Sequence, residues 1–220
     1  MYLIKTPKFI RNLFPNFTWK IETKKPVIYL TFDDGPIPEV TPWVLEQLEK
    51  FDAKATFFCV GENVIKNPEI FKSVKAAGHT IGSHTFNHLS GWSTDNIPYF
   101  HNVRRGASIT KSELFRPPYG RLKRSQAQFL QRHYQVVMWD VLAGDWDPNI
   151  SGEQCYRNVI NNANSGSIVV LHDSLKSKEN LEYALPRILE HFSGLGYKFE
   201  NLDHLIPAEQ QASLRFKRSA

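Results

Sequence analysis

Two adjacent carboxylates, Asp33 and Asp34, close the run Val27-Ile28-Tyr29-Leu30-Thr31-Phe32, and Gly35-Pro36 breaks the chain directly after them. A β-branched and aromatic run stopping at a breaker reads as a buried strand that delivers both acids to the start of a loop. Neighbouring acids in one dry site repel each other unless a cation joins them or one of them acts as a base. By themselves Asp-Gly and Gly-Pro are ordinary turn dipeptides. A second group changes their weight: Ser83-His84-Thr85-Phe86-Asn87-His88 sets two imidazoles four residues apart, facing one ion if the segment turns helically. Two histidines and a carboxylate make a three-ligand site with open positions, suited to Zn²⁺ and also to non-haem Fe²⁺.

These residues need elements to hold them. Strand-like runs at 27–32, 55–60, 80–84, 114–116, 134–140, 167–173 and 197–202 alternate with helix-like stretches at 41–48, 67–77, 95–110, 126–133, 152–162 and 181–192. Thr41 is the expected N-cap of the first of these helices, with Pro42 in its first turn. Such alternation predicts parallel strands joined by right-handed crossovers. No Gly-x-Gly-x-x-Gly is present for a dinucleotide fold, so the reading is an α/β protein with a distorted (β/α)7-type parallel barrel. Chemistry in such a barrel sits where the strands end. The residues at those ends are Asp33 and Asp34, His84 and His88, Arg116, Asp140 with Asp145, and His172 with Asp173. Five strands thus converge metal-binding and proton-transferring side chains on one rim.

Composition sets the outer limits. The 220 residues suffice for one sizeable core, and 41% hydrophobic with 22% charged residues is globular usage. A net charge of +5 favours an anionic partner such as a cell-wall polymer or membrane surface. No basic run is interleaved with aromatics as in a nucleic-acid groove, so no nucleic-acid partner is expected. Cys59 and Cys155 are read as reduced and buried. Residues 1–25 are expected to pack on the barrel, 26–206 to form the catalytic domain, and 207–220 to be a basic tail. Within 1–25 no apolar stretch reaches signal-peptide or membrane-spanning length, which favours the cytoplasm or the cytoplasmic membrane face. Residues 7–14 are read as a short amphipathic helix that packs on the barrel or makes peripheral membrane contact.

The chain resembles the NodB-type polysaccharide deacetylases, carbohydrate esterase family four. The resemblance rests on Thr31-Phe32-Asp33-Asp34-Gly35-Pro36, on Ser83-His84-Thr85-Phe86-Asn87-His88, on Arg116-Pro117-Pro118-Tyr119-Gly120, on Asp145-Trp146 and on Leu171-His172-Asp173. These occur in the family's order over residues 26–206. The resemblance implies the NodB homology fold, with Asp33 as catalytic base and Asp34, His84 and His88 as ligands of a divalent metal. That metal would be Zn²⁺, with Co²⁺, Ni²⁺ or Fe²⁺ as alternatives. It further implies that Arg116 holds Asp33, that the Tyr119 N–H helps stabilise an oxyanion, and that His172 is the general acid. Leu171 would line the acetyl pocket and Trp146 would form a groove wall.

The chemistry required by amide hydrolysis agrees with that set. A metal lowers the pKa of bound water, a base takes its proton, donors stabilise the oxyanion, and the amine leaves once protonated. The expected activity is N-deacetylation of N-acetylated amino sugars in peptidoglycan, chitooligosaccharide or a related glycolipid. O-deacetylation of a xylan-type polysaccharide and a catalytically weak carbohydrate-binding homologue are the alternatives. One position departs from the family: the acid commonly found four residues before the motif Trp, where it steadies the catalytic His, is Leu142 here. Asp145 is the expected substitute because strand-end loops reach the site, whereas Asp140 is also open as that substitute or as a buried partner of Arg116. Trp92, Tyr99, Trp139 and Trp146 are candidate sugar-stacking aromatics, with Trp92 and Trp146 nearest the rim motifs.

Overall fold

Nothing polar interrupts the chain between Val27 and Leu30, so this segment has no face to give to water, and β1 (Val27–Asp33) is buried along its whole length. The computed structural model describes residues 2–206; the expected basic tail at 207–220 lies outside them. Before β1 comes α1 (Lys8–Leu13), and after it α2 (Thr41–Glu49), β2 (Thr56–Cys59), α3 (Gly61–Lys66), α4 (Pro68–Ala76), β3 (Thr80–Ser83) and α5 (Asn96–Thr110). Next are β4 (Leu114–Phe115), α6 (Arg124–Leu130), β5 (Gln135–Val136), β6 (Val141–Leu142), α7 (Gly152–Ile160), β7 (Ile168–His172), α8 (Lys178–Gly194) and β8 (Lys198–Phe199).

The strands run parallel in the order β5-β4-β3-β2-β1-β7-β6, and β8 pairs with the start of β1. Alternation along β1 sorts its side chains into two layers. Ile28, Leu30 and Phe32 pack with Val44 and Leu48 of α2 and with Leu185 and Ile188 of α8. Val27 and Tyr29 pack inside the barrel with Phe58, Leu114, Val137 and Ile168. Thr31 and Asp33 share that inner face by the same alternation, which is how the strand aims one acid inward.

The strand expected over 134–140 is broken in two. β5 stands at one end of the sheet and β6 at the other, and the residues between them cross the opening. Their amides change partners on the way: Val137 N–H donates to Phe115 O on β4 at 2.8 Å, and Asp140 N–H to Ile168 O on β7 at 3.0 Å. An apolar run shows that this segment is buried but cannot show that it is a bridge rather than one straight strand.

Residues between 2 and 25 line this opening. Thr18 N–H donates to Val136 O at 2.9 Å, Leu142 N–H to Ile4 O at 2.8 Å and Ile21 N–H to Gly166 O at 2.9 Å. Asp140 belongs to this seam and is not a partner of Arg116: it pairs with Lys5 Nζ at 2.6 Å, accepts from Ser167 Oγ at 2.6 Å and faces Arg11 at 3.7 Å. Inside, Arg116 is completely buried. Its guanidinium donates to Val137 O (3.2 Å), Met138 O (3.0 Å), Thr31 Oγ1 (2.7 Å) and Asp33 Oδ1 (2.7 Å), and it stacks 4.0 Å from the Phe58 ring centroid. One side chain therefore ties β4, the bridging segment and β1 together. No described helix is long and apolar enough to cross a membrane.

Candidate active site

The two acids are separated by backbone geometry. Asp33 ends the extended strand, whereas Asp34 adopts φ +86°, a left-handed conformation that turns the next side chain out of the strand's alternation. Asn63 on α3 holds this turn by donating to Asp34 O at 2.8 Å, and α3 itself was not evident in the sequence. Gly35 follows because nothing larger fits: a Cβ there would lie 1.9 Å from Asp173 Oδ2. Asp173 turns away from the rim, accepting from Gly35 N–H at 3.0 Å and from Thr41 Oγ1 at 2.6 Å. Burial pushes its carboxyl up to about 8 against those two bonds. Thr41 thus serves β7 rather than capping α2, whose N-cap is Val40.

Asp34, His84 and His88 each offer a ligand atom, all within 4.8 Å of one another. His84 and His88 converge through a turn and not the helical one expected, because Thr85 (φ +65°) and His88 (φ +59°) are both left-handed. That turn is pinned from outside: Gly61 N–H donates to Thr85 O at 3.0 Å, and a Cβ on Gly106 would come within 2.5 Å of the same carbonyl. His84 Nδ1 lies 2.8 Å from Arg116 O, an acceptor only, so Nδ1 carries the proton and Nε2 keeps its lone pair. Burial, with Asp33 opposing, holds the His84 imidazole down to about 4 and hence neutral. Nε2 of His84 and of His88 stand 3.9 and 3.3 Å from Asp34 Oδ1. That oxygen is buried and has no hydrogen-bond partner, an arrangement that costs free energy unless a cation completes it. A divalent ion held by one carboxylate and two imidazoles fits this donor set.

Either side of the triad stand two groups whose protonation is pushed apart. Burial alone would raise the Asp33 carboxyl, but Arg116, with His84 and His172, outweighs it and holds Asp33 below the ordinary range. On β7, His172 is the register partner of Asp33. Asp145 accepts from its Nδ1 at 2.9 Å and from its backbone N–H at 2.7 Å. Burial would lower this imidazole, yet Asp145 first, then Asp34 and Asp33, raise it to about 9. Leu142 lies inward on β6 beside Val170, so the carboxylate arrives instead from the loop beyond, where Gly144 (φ +82°) makes the turn. Asn180 at the start of α8 fixes that loop by donating to Asp145 O (3.1 Å), Asp147 O (3.4 Å) and Ile150 O (3.2 Å).

Of the remaining expected residues, Trp146 packs edge-on to His172 with centroids 4.9 Å apart, backed by Tyr2 at 5.0 Å. Tyr119 occupies a left-handed position (φ +61°) after Pro117-Pro118, with its ring 4.7 Å from that of His88. Leu171 does not reach the rim. It is fully buried with Phe32 and Val169 in the layer beneath the helices, on the strand face opposite His172. The apolar side chain sharing the inner face with His172 is Val170, two residues before it, as strand alternation alone requires. Tyr99 is wholly buried and Trp139 packs in the core, while Trp92 is exposed.

A polysaccharide deacetylase family profile matches residues 20–137. A peptidoglycan-N-acetylglucosamine deacetylase of Bacillus cereus is 34% identical over 197 residues, spanning 86% of this chain and 92% of its own length. A chitooligosaccharide deacetylase of Azorhizobium caulinodans is 33% identical over 171 residues, 73% of this chain and 80% of its own. Among solved structures, the Bc1960 peptidoglycan N-acetylglucosamine deacetylase in complex with a naphthalenyl N-oxidanyl-benzamide superposes with a TM-score of 0.83 at 28% identity, covering 91% of this chain and 97% of that one.

Proposed function

The chain belongs to the polysaccharide deacetylase family, and from that premise we propose that it is a metal-dependent hydrolase removing N-acetyl groups from amino sugars in a glycan. The observation that carries this reading is the opposed protonation of Asp33 and His172, register partners on adjacent strands that flank the Asp34, His84 and His88 cluster. Titratable neighbours whose environments drive them apart are the mark of an acid and a base with separate tasks.

A divalent ion, Zn²⁺ by donor type, would be held by Asp34 Oδ1 and the Nε2 atoms of His84 and His88, and would supply Lewis-acid activation of water and of the acetyl carbonyl. Asp33, kept ionised by Arg116, takes the proton of the attacking water. As the carbonyl becomes tetrahedral, the Tyr119 N–H donates to the oxyanion, a contribution of about 3 kcal/mol for a single well-placed donor. His172 has Nδ1 committed to Asp145, so Nε2 gives its proton to the departing amine. Acetate and a free amino sugar are the products. Arg116 and Asp145 act through Asp33 and His172, and Val170 with Trp146 bounds the acetyl side.

The reading is tested by acetate release from chitooligosaccharides, peptidoglycan and acetylated xylan, with metal loaded and after chelation. Release from the N-acetylated substrates that chelation stops is the expected result. Release from xylan alone assigns O-deacetylation instead, and no release from any substrate overturns the enzymatic reading.

A further inference from the structure

Beyond the reacting residues, the rim carries two large aromatic side chains that are each 60% exposed, Trp92 and Tyr119. Burying an indole is worth a few kcal/mol, so one kept in water by a fixed bond calls for a use. Trp92 is fixed in that way: its Nε1–H donates to Leu122 O at 3.1 Å. Arg121 Cζ lies over the Trp92 ring, 4.9 Å from its centroid, and the indole remains 60% exposed. Tyr119, two residues earlier, contacts His88, and Trp92 follows His88 by four residues, a separation of at most about 14 Å. Two short chain segments, 88–92 and 119–121, thus join the Trp92–Arg121 pair to the His88–Tyr119 contact at the triad.

The chemistry of this pair is specific. An open indole face matches the C–H face of a pyranose ring. A guanidinium stacked on an aromatic keeps its N–H fork in its own plane, free to grip a carboxylate through two bonds. Lys123 nearby pairs with Asp95 at 3.6 Å, whereas Arg121 makes no ion pair among the described residues. An exposed aromatic face beside an uncommitted cation suits an anionic sugar better than a neutral one.

We propose that Trp92 and Arg121 form an outer subsite that stacks a sugar unit farther along the glycan and holds a carboxylate borne by that unit. The glycan class rests on the deacetylase reading above; the substrate it favours is an amino-sugar chain with carboxylate substituents, over neutral chitooligosaccharide. The test is calorimetric binding, in a metal-loaded Asp33→Asn background that stops turnover, of tetra-N-acetylchitotetraose and of a peptide-free tetrasaccharide alternating N-acetylglucosamine with N-acetylmuramic acid. Trp92→Ala weakens both by about tenfold, Trp92→Phe restores most of that binding without the Nε1 bond, and Arg121→Gln weakens the carboxylated chain alone by about tenfold. Unchanged affinity in folded Trp92→Ala overturns the subsite, as does a wild-type protein that binds neither chain. Equal loss for both chains in Arg121→Gln overturns the carboxylate assignment. Acetate release by the wild type is followed in parallel. Its absence with Trp92-dependent binding retained rejects the reaction and keeps the subsite; its presence with Trp92-independent binding rejects the subsite alone.

Discussion

Replacing Asp145 by Asn removes the charge that sets the proton on His172 while keeping the shape of the loop. The carboxylate accepts from both Nδ1 and the backbone N–H of His172. An amide can satisfy only one of these donors and turns its own NH₂ on the other. His172 stands at about 9 against an ordinary 6.5, on the order of 3 kcal/mol in favour of the imidazolium, and Asp145 is the largest of the charges that raise it, ahead of Asp34 and Asp33. At pH 8 a group of pKa 9 is about 90% protonated, and one at 6.5 about 3%, so a return to the ordinary value predicts a roughly 30-fold loss there from protonation alone. At pH 6 both forms are largely protonated and the loss shrinks to the orientation effect. The assay is the pH profile of kcat/KM for acetate release, whose alkaline limb should move down by up to about 2.5 units. Stability carries the same sign. A His whose folded pKa is raised contributes fully below its unfolded value and loses that contribution as pH rises through about 9. The Tm gap between wild type and D145N should therefore be widest near pH 6 and narrow above pH 9. An alkaline limb that stays in place while activity falls equally at every pH would refute the assignment of the His172 proton to Asp145.

Asp33→Asn should abolish turnover by about a thousandfold or more while metal content, read by mass spectrometry of dialysed protein, stays whole; loss of metal would mean that the adjacent acids have exchanged roles. Asp34→Ala should instead lower metal affinity by at least a hundredfold in chelator competition, because it removes the only carboxylate of the three-ligand set. Asn180→Ala frees the loop that carries Asp145 and should cut kcat about tenfold with KM nearly unchanged, measured by steady-state kinetics. Asp173, with its carboxyl raised to about 8, makes the fold favour the protonated form, so its contribution is lost as pH climbs from about 4 to 8. Thermal melts of Asp173→Asn should be flatter over that range than those of wild type.

Much of the site was readable because strand ends and barrel rims follow strict geometry. A run that is apolar on both faces and ends in acids marks β1 and the loop it feeds, and the same logic brought His84, Arg116 and His172 to one side. What escaped depended on conformations that single residues adopt. The left-handed Asp34, Thr85 and His88 separate the acids and bring the imidazoles together by a turn, and no pattern of residue types announces that. The family resemblance put Leu171 in the acetyl pocket, although the period of two puts it on the other face. Asp140 is a buried acid whose partners, Lys5 and Ser167, lie 135 and 27 residues away in sequence, too far for spacing to reveal. The crossing between β5 and β6 looked like one strand because burial, which the composition reports, is the same in both cases.

Arg116 gives this barrel a property that reaches past orientation. The group that positions the Asp33 carboxylate also supplies the bonds to Val137 and Met138 across the open side of the sheet. A partly opened molecule in which that segment has detached leaves the guanidinium short of acceptors and Asp33 short of its partner, a loss of about 3–5 kcal/mol for a buried pair. Catalytic competence and closure therefore belong to one cooperative unit. Amide protons of the crossing segment should exchange only with global unfolding, and the enzyme should have no folding intermediate that is open at the seam yet active.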